Sequence, residues 1–325
     1  MEFPRDEYMD RVGRARELMK ASNLDCLMVT GDWSASPNYR YLSGHLPRDY
    51  QANFARPHIM LLTPSGDAGL VVFYLSKGNA EETSWVEQVW EYTQPFSHQA
   101  VVDAFKSMGL RKGRVGAELG LDQRLLMPVA EFERIKESLP QLQFVDAADL
   151  LWELRIIKSQ AEIECIKEAD RINGKALEVA LTQIQVGTTE VDIAKRVAIT
   201  MVEEGAYRPP YAQLLIASSP KYKSQGHRGR LLGPSTEPLG KGDIVFVDSG
   251  CVVNGYWGEF NRMAVVGEPS QRQRKFHDMI RTIVQTTIAE AIKPGATGRQ
   301  VMEFMVSMYK KFDLEESQYA RYLAY

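Results

Sequence analysis

The chain has 325 residues, 44% hydrophobic and 25% charged, and its 39 Lys and Arg against 42 Asp and Glu leave a formal net charge of −3 at pH 7. That composition suits a globular protein with room for two domains. It offers no basic footprint for nucleic acid, no apolar run of membrane-spanning length (residues 69–75 are among the longest), and no signal peptide in the charged N-terminus MEFPRDEYMD. Its three cysteines, Cys26, Cys165 and Cys251, lie far apart in apolar settings, so they read as reduced core residues of a cytoplasmic protein and exclude a CxxC zinc cluster.

The first predicted element is an amphipathic helix over residues 5–21, with Val12, Ala15, Leu18 and Met19 at helical spacing. A buried strand over 26–30 follows, then a loop and the stretch 38–44. Strands over 59–63 and 70–74 flank the turn Pro64-Ser65-Gly66-Asp67. A helix over 101–108, a strand over 114–118, a helix over 126–138 and a strand over 143–145 complete an alternation that implies a mixed sheet covered on its faces. The pattern suggests a first domain over residues 1–152 and a second over 153–325.

In the second segment Ser159-Gln160-Ala161-Glu162 is a capping box, in which the Ser hydroxyl and Glu carboxylate satisfy each other's free backbone amides. It opens a long helix with Ile163, Ile166, Ala169, Ile172, Ala176 and Leu177 on one side. Gly187 breaks the chain, and Thr189 caps a second helix that stops at Gly205. A strand over 212–218 and a polar loop containing His227 lead to KGDIVFVDSGCVVNGYWGEFNRMAVVG at 241–267. This reads as two strands, 244–250 and 256–266, joined at Asn254-Gly255, which supplies the positive φ angles of a two-residue type I′ turn.

The capping layout then returns. Ser270 to Gln273 is another capping box, the helix after it breaks at Pro294-Gly295, and Thr297 caps one more. Ile-Gln-Val-Gly-Thr-Thr-Glu at 184–190 matches Ile-Lys-Pro-Gly-Ala-Thr-Gly at 292–298, an internal duplication with an offset of 108 residues. His227 lies 40 residues and Asp248 61 residues beyond Gly187, whereas 30 follow Gly295. The second copy is therefore expected to hold its helices without its strands, and a truncated or frameshifted product is the simplest expectation for the ending at 318–325.

The chemistry concentrates on the hairpin. With Asn254 and Gly255 at the turn, Asp248 faces Asn261, and Glu259 is its diagonal neighbour on the same face, with Cβ atoms roughly 7–8 Å apart. Carboxylates so placed can hold one divalent ion or a pair, and a one-residue slip would separate them. A second reading makes Asp248 an Asx-turn residue that ends its strand ahead of Gly250. It makes Glu259 a surface partner of Arg262, contributing under about 1 kcal/mol. His227, within Gln-Gly-His-Arg-Gly-Arg, can act as acid, base or substrate ligand near neutral pH, or can simply be a solvated loop residue. Arg228 and Arg230 beside it either bind an anionic group or solvate the loop. His45, His58 and His277 read as structural or exposed. No GxGxxG, Walker loop or GxSxG elbow is present, which argues against nucleotide enzymes and α/β serine hydrolases.

Three segments, in order, resemble the creatinase / aminopeptidase P / prolidase family. NYRYLSG at 38–44 is similar to the family's N-terminal-domain signature. Leu154-Arg155-Ile156-Ile157-Lys158-Ser159 with Glu162-Ile163 is similar to the entry to its catalytic domain. Gly242-Asp243, Asp248-Ser249-Gly250, Gly255-Tyr256, Arg262 and Gly267 are similar to its active-site hairpin. The resemblance implies an α/β (α+β) fold, with a creatinase-like N-terminal α/β domain followed by a pita-bread catalytic domain whose second half is incomplete. The pseudo-twofold symmetry of that domain accounts for the duplication.

The resemblance also implies that Asp248 and Glu259 are ligands of a divalent Mn, Co or Zn centre, holding two ions in a complete member. Glu259 stands where the family has Asp, and the remaining ligands, one His and two Glu, come from second-half strands. His227 maps onto the histidine that contacts substrate and assists proton transfer. The expected activity is metal-dependent hydrolysis of Xaa-Pro peptides, impaired in this chain. The alternatives are a creatinase-like, metal-independent C–N hydrolase using His227, and a non-catalytic binding protein of the same fold. A small peptide or a small amide or guanidino compound as substrate, a homodimer, a cytoplasmic location, and no nucleic-acid or membrane partner complete the expectation.

Overall fold

Strand alternation decides the layout of the N-terminal half. In β1 (Cys26–Gly31), Cys26 and Met28 enter one core while Leu27 and Val29 enter another. A strand buried on both faces needs helices on both faces of its sheet. The computed structural model, which describes residues 3–32, 37–47, 55–206, 215–218, 234–312 and 314, shows that arrangement. The chain divides into two units, Met1–Ala169 with Val252–Trp257, and Asp170–Cys251 with Gly258–Tyr325. Among the described residues no helix is long and apolar enough to cross a membrane.

The first unit holds a six-stranded sheet of β1, β2 (His58–Leu62), β3 (Ala68–Phe73), β4 (Gln88–Tyr92), β5 (Gly113–Ala117) and β6 (Leu142–Asp146), in the order β4-β3-β2-β1-β5-β6. The β1–β2 and β2–β3 pairs are antiparallel, and β3–β4, β1–β5 and β5–β6 are parallel. Helices α1 (Arg5–Ala21), α2 (Pro37–Ser43) and α6 (Ala148–Ile156) cover one face, through side chains such as Met19, Leu42 and Leu151. Helices α4 (His98–Ser107) and α5 (Val129–Ser138) cover the other, through Phe105 and Ile135.

Four elements have no counterpart among those predicted from the sequence. Helix α2 (Pro37–Ser43) falls on the stretch 38–44, for which the sequence pattern names no element. Helix α3 (Lys77–Thr83) buries Ala80 alone, so it has no apolar stripe, and β4 is a half-exposed edge strand. Helix α6 follows β6 directly, in the region where the sequence pattern places a domain boundary.

A buried carboxylate ties this sheet to two of its helices. Glu118, at the end of β5, accepts from Thr30 N (2.6 Å), Thr30 Oγ1 (2.8 Å) and Asn38 Nδ2 (2.7 Å). Arg155 of α6 donates to Asn38 Oδ1 at 2.8 Å. Burial pushes the Glu118 carboxyl above its usual range, against the pull of the Asn38 and Thr30 hydrogen bonds. Its contribution to stability is therefore fully present below the unfolded pKa, about 4.3, and is lost as pH rises through the raised folded pKa. Glu118→Gln should remove that decline and also turn an amide N–H toward a donor, at a cost of about 1–3 kcal/mol at neutral pH. Urea denaturation across pH checks both expectations, and a variant as stable as the parent with the same pH profile would contradict them.

The second half follows its caps. Ser159 and Glu162 form the expected box (2.8 and 3.3 Å) at the start of α7 (Gln160–Thr182). Thr189 closes a box with Asp192 ahead of α8 (Glu190–Glu203), Ser270 with Gln273 ahead of α9 (Gln271–Ala291), and Thr297 with Gln300 ahead of α10 (Gly298–Lys311). The duplication is structural as well. The 108-residue offset carries α8 onto α10 end for end, and the two break glycines have matching left-handed φ, 92° at Gly187 and 88° at Gly295.

The copies differ in cover. Helix α8 packs against β7 (Leu215–Ser218), with Ile193, Val197 and Met201 fully buried. Helices α9 and α10 pack on each other, and Phe276, Val284 and Ile288 stay exposed. A three-stranded sheet, β7, β8 (Ile244–Val253) and β9 (Tyr256–Val265), lies in the order β7-β8-β9. Of the strand expected over 212–218, residues 212–214 lie outside the described residues.

Candidate active-site hairpin

Asn254 (φ 49°) and Gly255 (φ 85°) both adopt the left-handed conformation expected of a type I′ turn between β8 and β9. In β8, Val245, Val247, Ser249 and Cys251 are fully buried, while Ile244, Phe246 and Asp248 between them are half-buried. The buried face meets α7. Asn173 Nδ2 donates to the Ser249 carbonyl at 2.7 Å, and Ser249 Oγ donates back to Asn173 Oδ1 at 2.6 Å. In β9, Phe260 turns to the same helix, its ring 3.5 Å from where a β-carbon on Gly174 would lie.

Ser249 and Phe260 thus face α7, so their neighbours Asp248 and Glu259 face away from it, on the open side of the hairpin. Asp248 is opposite Leu215 of β7 in the antiparallel ladder. Asp248 is half-buried and Glu259 exposed, and among the described residues neither carboxylate has a hydrogen-bond or ion-pair partner. Arg262 does not pair with Glu259. Its guanidinium donates to the Asn261 carbonyl at 2.7 Å and lies 4.4 Å from the Phe260 ring centroid.

Two carboxylates without partners among the described residues are of a donor type that can take a cation. They are two donors only. Among the described residues no group of three or more His, Cys, Asp or Glu side chains is arranged to hold a metal. His227, Arg228 and Arg230 lie outside the described residues. His45 and His58 are buried and His277 sits exposed on α9, in line with their structural or exposed reading.

The hairpin tip belongs to the first unit and is pinned there, which the sequence did not indicate. Tyr256 Oη donates to Glu162 Oε1 at 2.8 Å and accepts from Arg11 at 3.4 Å. The other Glu162 oxygen caps α7 at Ser159 N. Arg11, 1% exposed, also donates to Glu7 (2.9 Å) and to the Tyr41 carbonyl (3.2 Å). Burial pushes the Tyr256 phenol far above the tyrosine range; Arg11 opposes this and Glu162 adds to it, so the phenol stays a proton donor at ordinary pH. The positive φ at Gly255 favours glycine, and a β-carbon there would lie 2.6 Å from an Arg40 guanidinium nitrogen, so that flexible side chain would have to move aside.

Tyr256→Phe keeps the ring but takes the donor from a carboxylate that is 2% exposed, and should lose about 1–3 kcal/mol in chemical denaturation. A loss below about 0.5 kcal/mol would show that the phenol does not hold the tip.

Comparison with known proteins bears on the same segments. Residues 11–157 match the Creatinase/Prolidase N-terminal domain, and residues 164–324 match Metallopeptidase family M24. A Xaa-Pro dipeptidase of Pyrococcus horikoshii is 26% identical over 296 residues, which is 91% of this chain and 75% of that protein. One from Pyrococcus furiosus is 31% identical over 196 residues, 60% of this chain and 53% of that protein. The crystal structure of the prolidase from Pyrococcus horikoshii OT3 aligns with a TM-score of 0.72 at 25% identity, covering 93% of this chain and 78% of that one.

Proposed function

Because the chain belongs to metallopeptidase family M24 and carries the creatinase/prolidase N-terminal domain ahead of it, we propose that the open face of the β8–β9 hairpin is the metal-binding part of a Xaa-Pro dipeptidase-type site. The observation that carries this reading is a pair of carboxylates without partners among the described residues, Asp248 and Glu259, turned to one face by residues anchored on the other. Of Mn, Co and Zn, carboxylate donors suit Mn best, and Zn also takes Asp and Glu oxygens. Asp248 and Glu259 would hold the ion, which supplies a Lewis acid and an activated water when bound. Half-burial of Asp248 limits competing solvent and strengthens its hold on a cation. His227 is assigned to substrate contact and proton transfer. The substrate class, a small peptide with proline in second place, follows from the relatives named Xaa-Pro dipeptidase.

The same reading bears on activity. Glu259 reaches one methylene further than the aspartate it replaces, which displaces the oxygens by about an ångström. Among the described residues two carboxylates fall below the three protein ligands of a typical catalytic metal site. The 325-residue chain is thus expected to bind Mn²⁺ weakly and to hydrolyse Xaa-Pro dipeptides negligibly. Three buried free thiols support a reducing, cytoplasmic setting, and a homodimer, checked by light scattering, is part of the reading.

Calorimetric titration with Mn²⁺ tests the ligand assignment. Binding should weaken by at least about tenfold in Asp248→Asn and in Glu259→Gln. Robust turnover of a Xaa-Pro dipeptide by this chain would overturn the impaired reading. No detectable Mn²⁺ binding would favour the creatinase-like, metal-independent route through His227.

A further inference from the structure

Asn173 is an amide in an apolar layer. It and Ser249 are both fully buried, between Ile172 and Leu177 on α7 and Val247 and Cys251 on β8. An apolar side chain would fill that position without the desolvation an amide suffers. What the amide adds is direction. Its two ends close on a single residue, Nδ2 donating to the Ser249 carbonyl (2.7 Å) and Oδ1 accepting from the Ser249 hydroxyl (2.6 Å). One bond orients the peptide plane that follows Ser249 and the other fixes the Ser249 rotamer, so Ser249 is held on the α7 face and strand alternation leaves Asp248 on the opposite one. The residue immediately before it is Asp248.

We propose that Asn173 is a positioning residue for Asp248: by gripping Ser249 at both its carbonyl and its hydroxyl, it aims the Asp248 carboxylate onto the open face of the hairpin. The inference rests on the reading of Asp248 as a metal ligand and adds what holds that ligand in place. Apolar contacts between α7 and β8 are non-directional and tolerate small sliding and rotation. The paired amide does not, because a shift leaves buried polar groups unsatisfied. A ligand held by a second, hydrogen-bonded layer needs less reordering when the cation arrives.

The test is a double-mutant cycle read by Mn²⁺ electron paramagnetic resonance on the full chain, with the thermal midpoint measured in parallel. Asn173→Ala should weaken Mn²⁺ binding about fivefold while the protein stays folded, and should add nothing in an Asp248→Asn background. A purely structural role would lower the thermal midpoint and leave Mn²⁺ affinity unchanged, which overturns the proposal. If Asn173→Ala does not fold, Ser249→Ala takes its place. It removes one of the two bonds and should weaken binding about threefold; unchanged affinity there also overturns the proposal. If Asp248→Asn itself binds Mn²⁺ like the parent, the ligand reading falls and this inference falls with it. If Asp248→Asn weakens binding and the Asn173 and Ser249 variants do not, only the positioning role falls.

Discussion

Successive side chains on a strand point to opposite faces, so one buried anchor decides what its neighbour does. The hairpin depends on that constraint twice. Ser249 is drawn to α7 by Asn173, and Phe260 packs on the same helix, so Asp248 and Glu259 have only the other face to occupy. An isolated two-stranded hairpin is marginally stable in water. Here β7 extends it on one edge, and α7 covers one face. The anchors are strong in the sense that matters. Each bond made contributes only about 1 kcal/mol, but leaving a buried amide or hydroxyl without its partner costs about 1–3 kcal/mol.

The tip of the same hairpin rests on a different principle. Arg11 is a fully buried cation, tolerable because its charge is answered at every position: Glu7, the Tyr41 carbonyl and Tyr256 Oη take its N–H groups, and the Phe3 and Tyr41 rings lie 4.5 and 4.3 Å from its guanidinium carbon. Glu162 serves twice, as the capping carboxylate of α7 and as acceptor for Tyr256. The start of that helix and the tip of the hairpin therefore share one buried carboxylate. A change at either end is felt by the other.

What could be read from the sequence was local. Capping boxes at Ser159 and Ser270 involve residues three apart, and the Asn-Gly turn declares its own φ angles, so both were visible. The duplication was visible because equal spacing of glycines and caps survives where identity does not. Helix α3 and strand β4 were missed because neither carries a clear apolar period: Ala80 is the only buried residue of α3, and β4 is half-exposed. The partners of the site were missed for another reason. Arg11 meets Tyr256 across 245 residues and Asn173 meets Ser249 across 76, and no periodicity encodes a contact at that separation. The two carboxylates themselves were legible, since a two-residue turn fixes which residues share a face.

The account thus comes down to a pair of oxygen donors held on one face by anchors on the other. A carboxylate without a partner among the described residues is ordinary on a surface, but Asp248 is half-buried in the middle of β8, where a bound cation would offset part of its desolvation. The most direct measurement is anomalous X-ray diffraction from crystals of the chain soaked in Mn²⁺, collected at the manganese edge. The account predicts a peak about 2.0–2.4 Å from carboxylate oxygens of both Asp248 and Glu259. A peak at another place, or none between these two residues at saturating Mn²⁺, would contradict it.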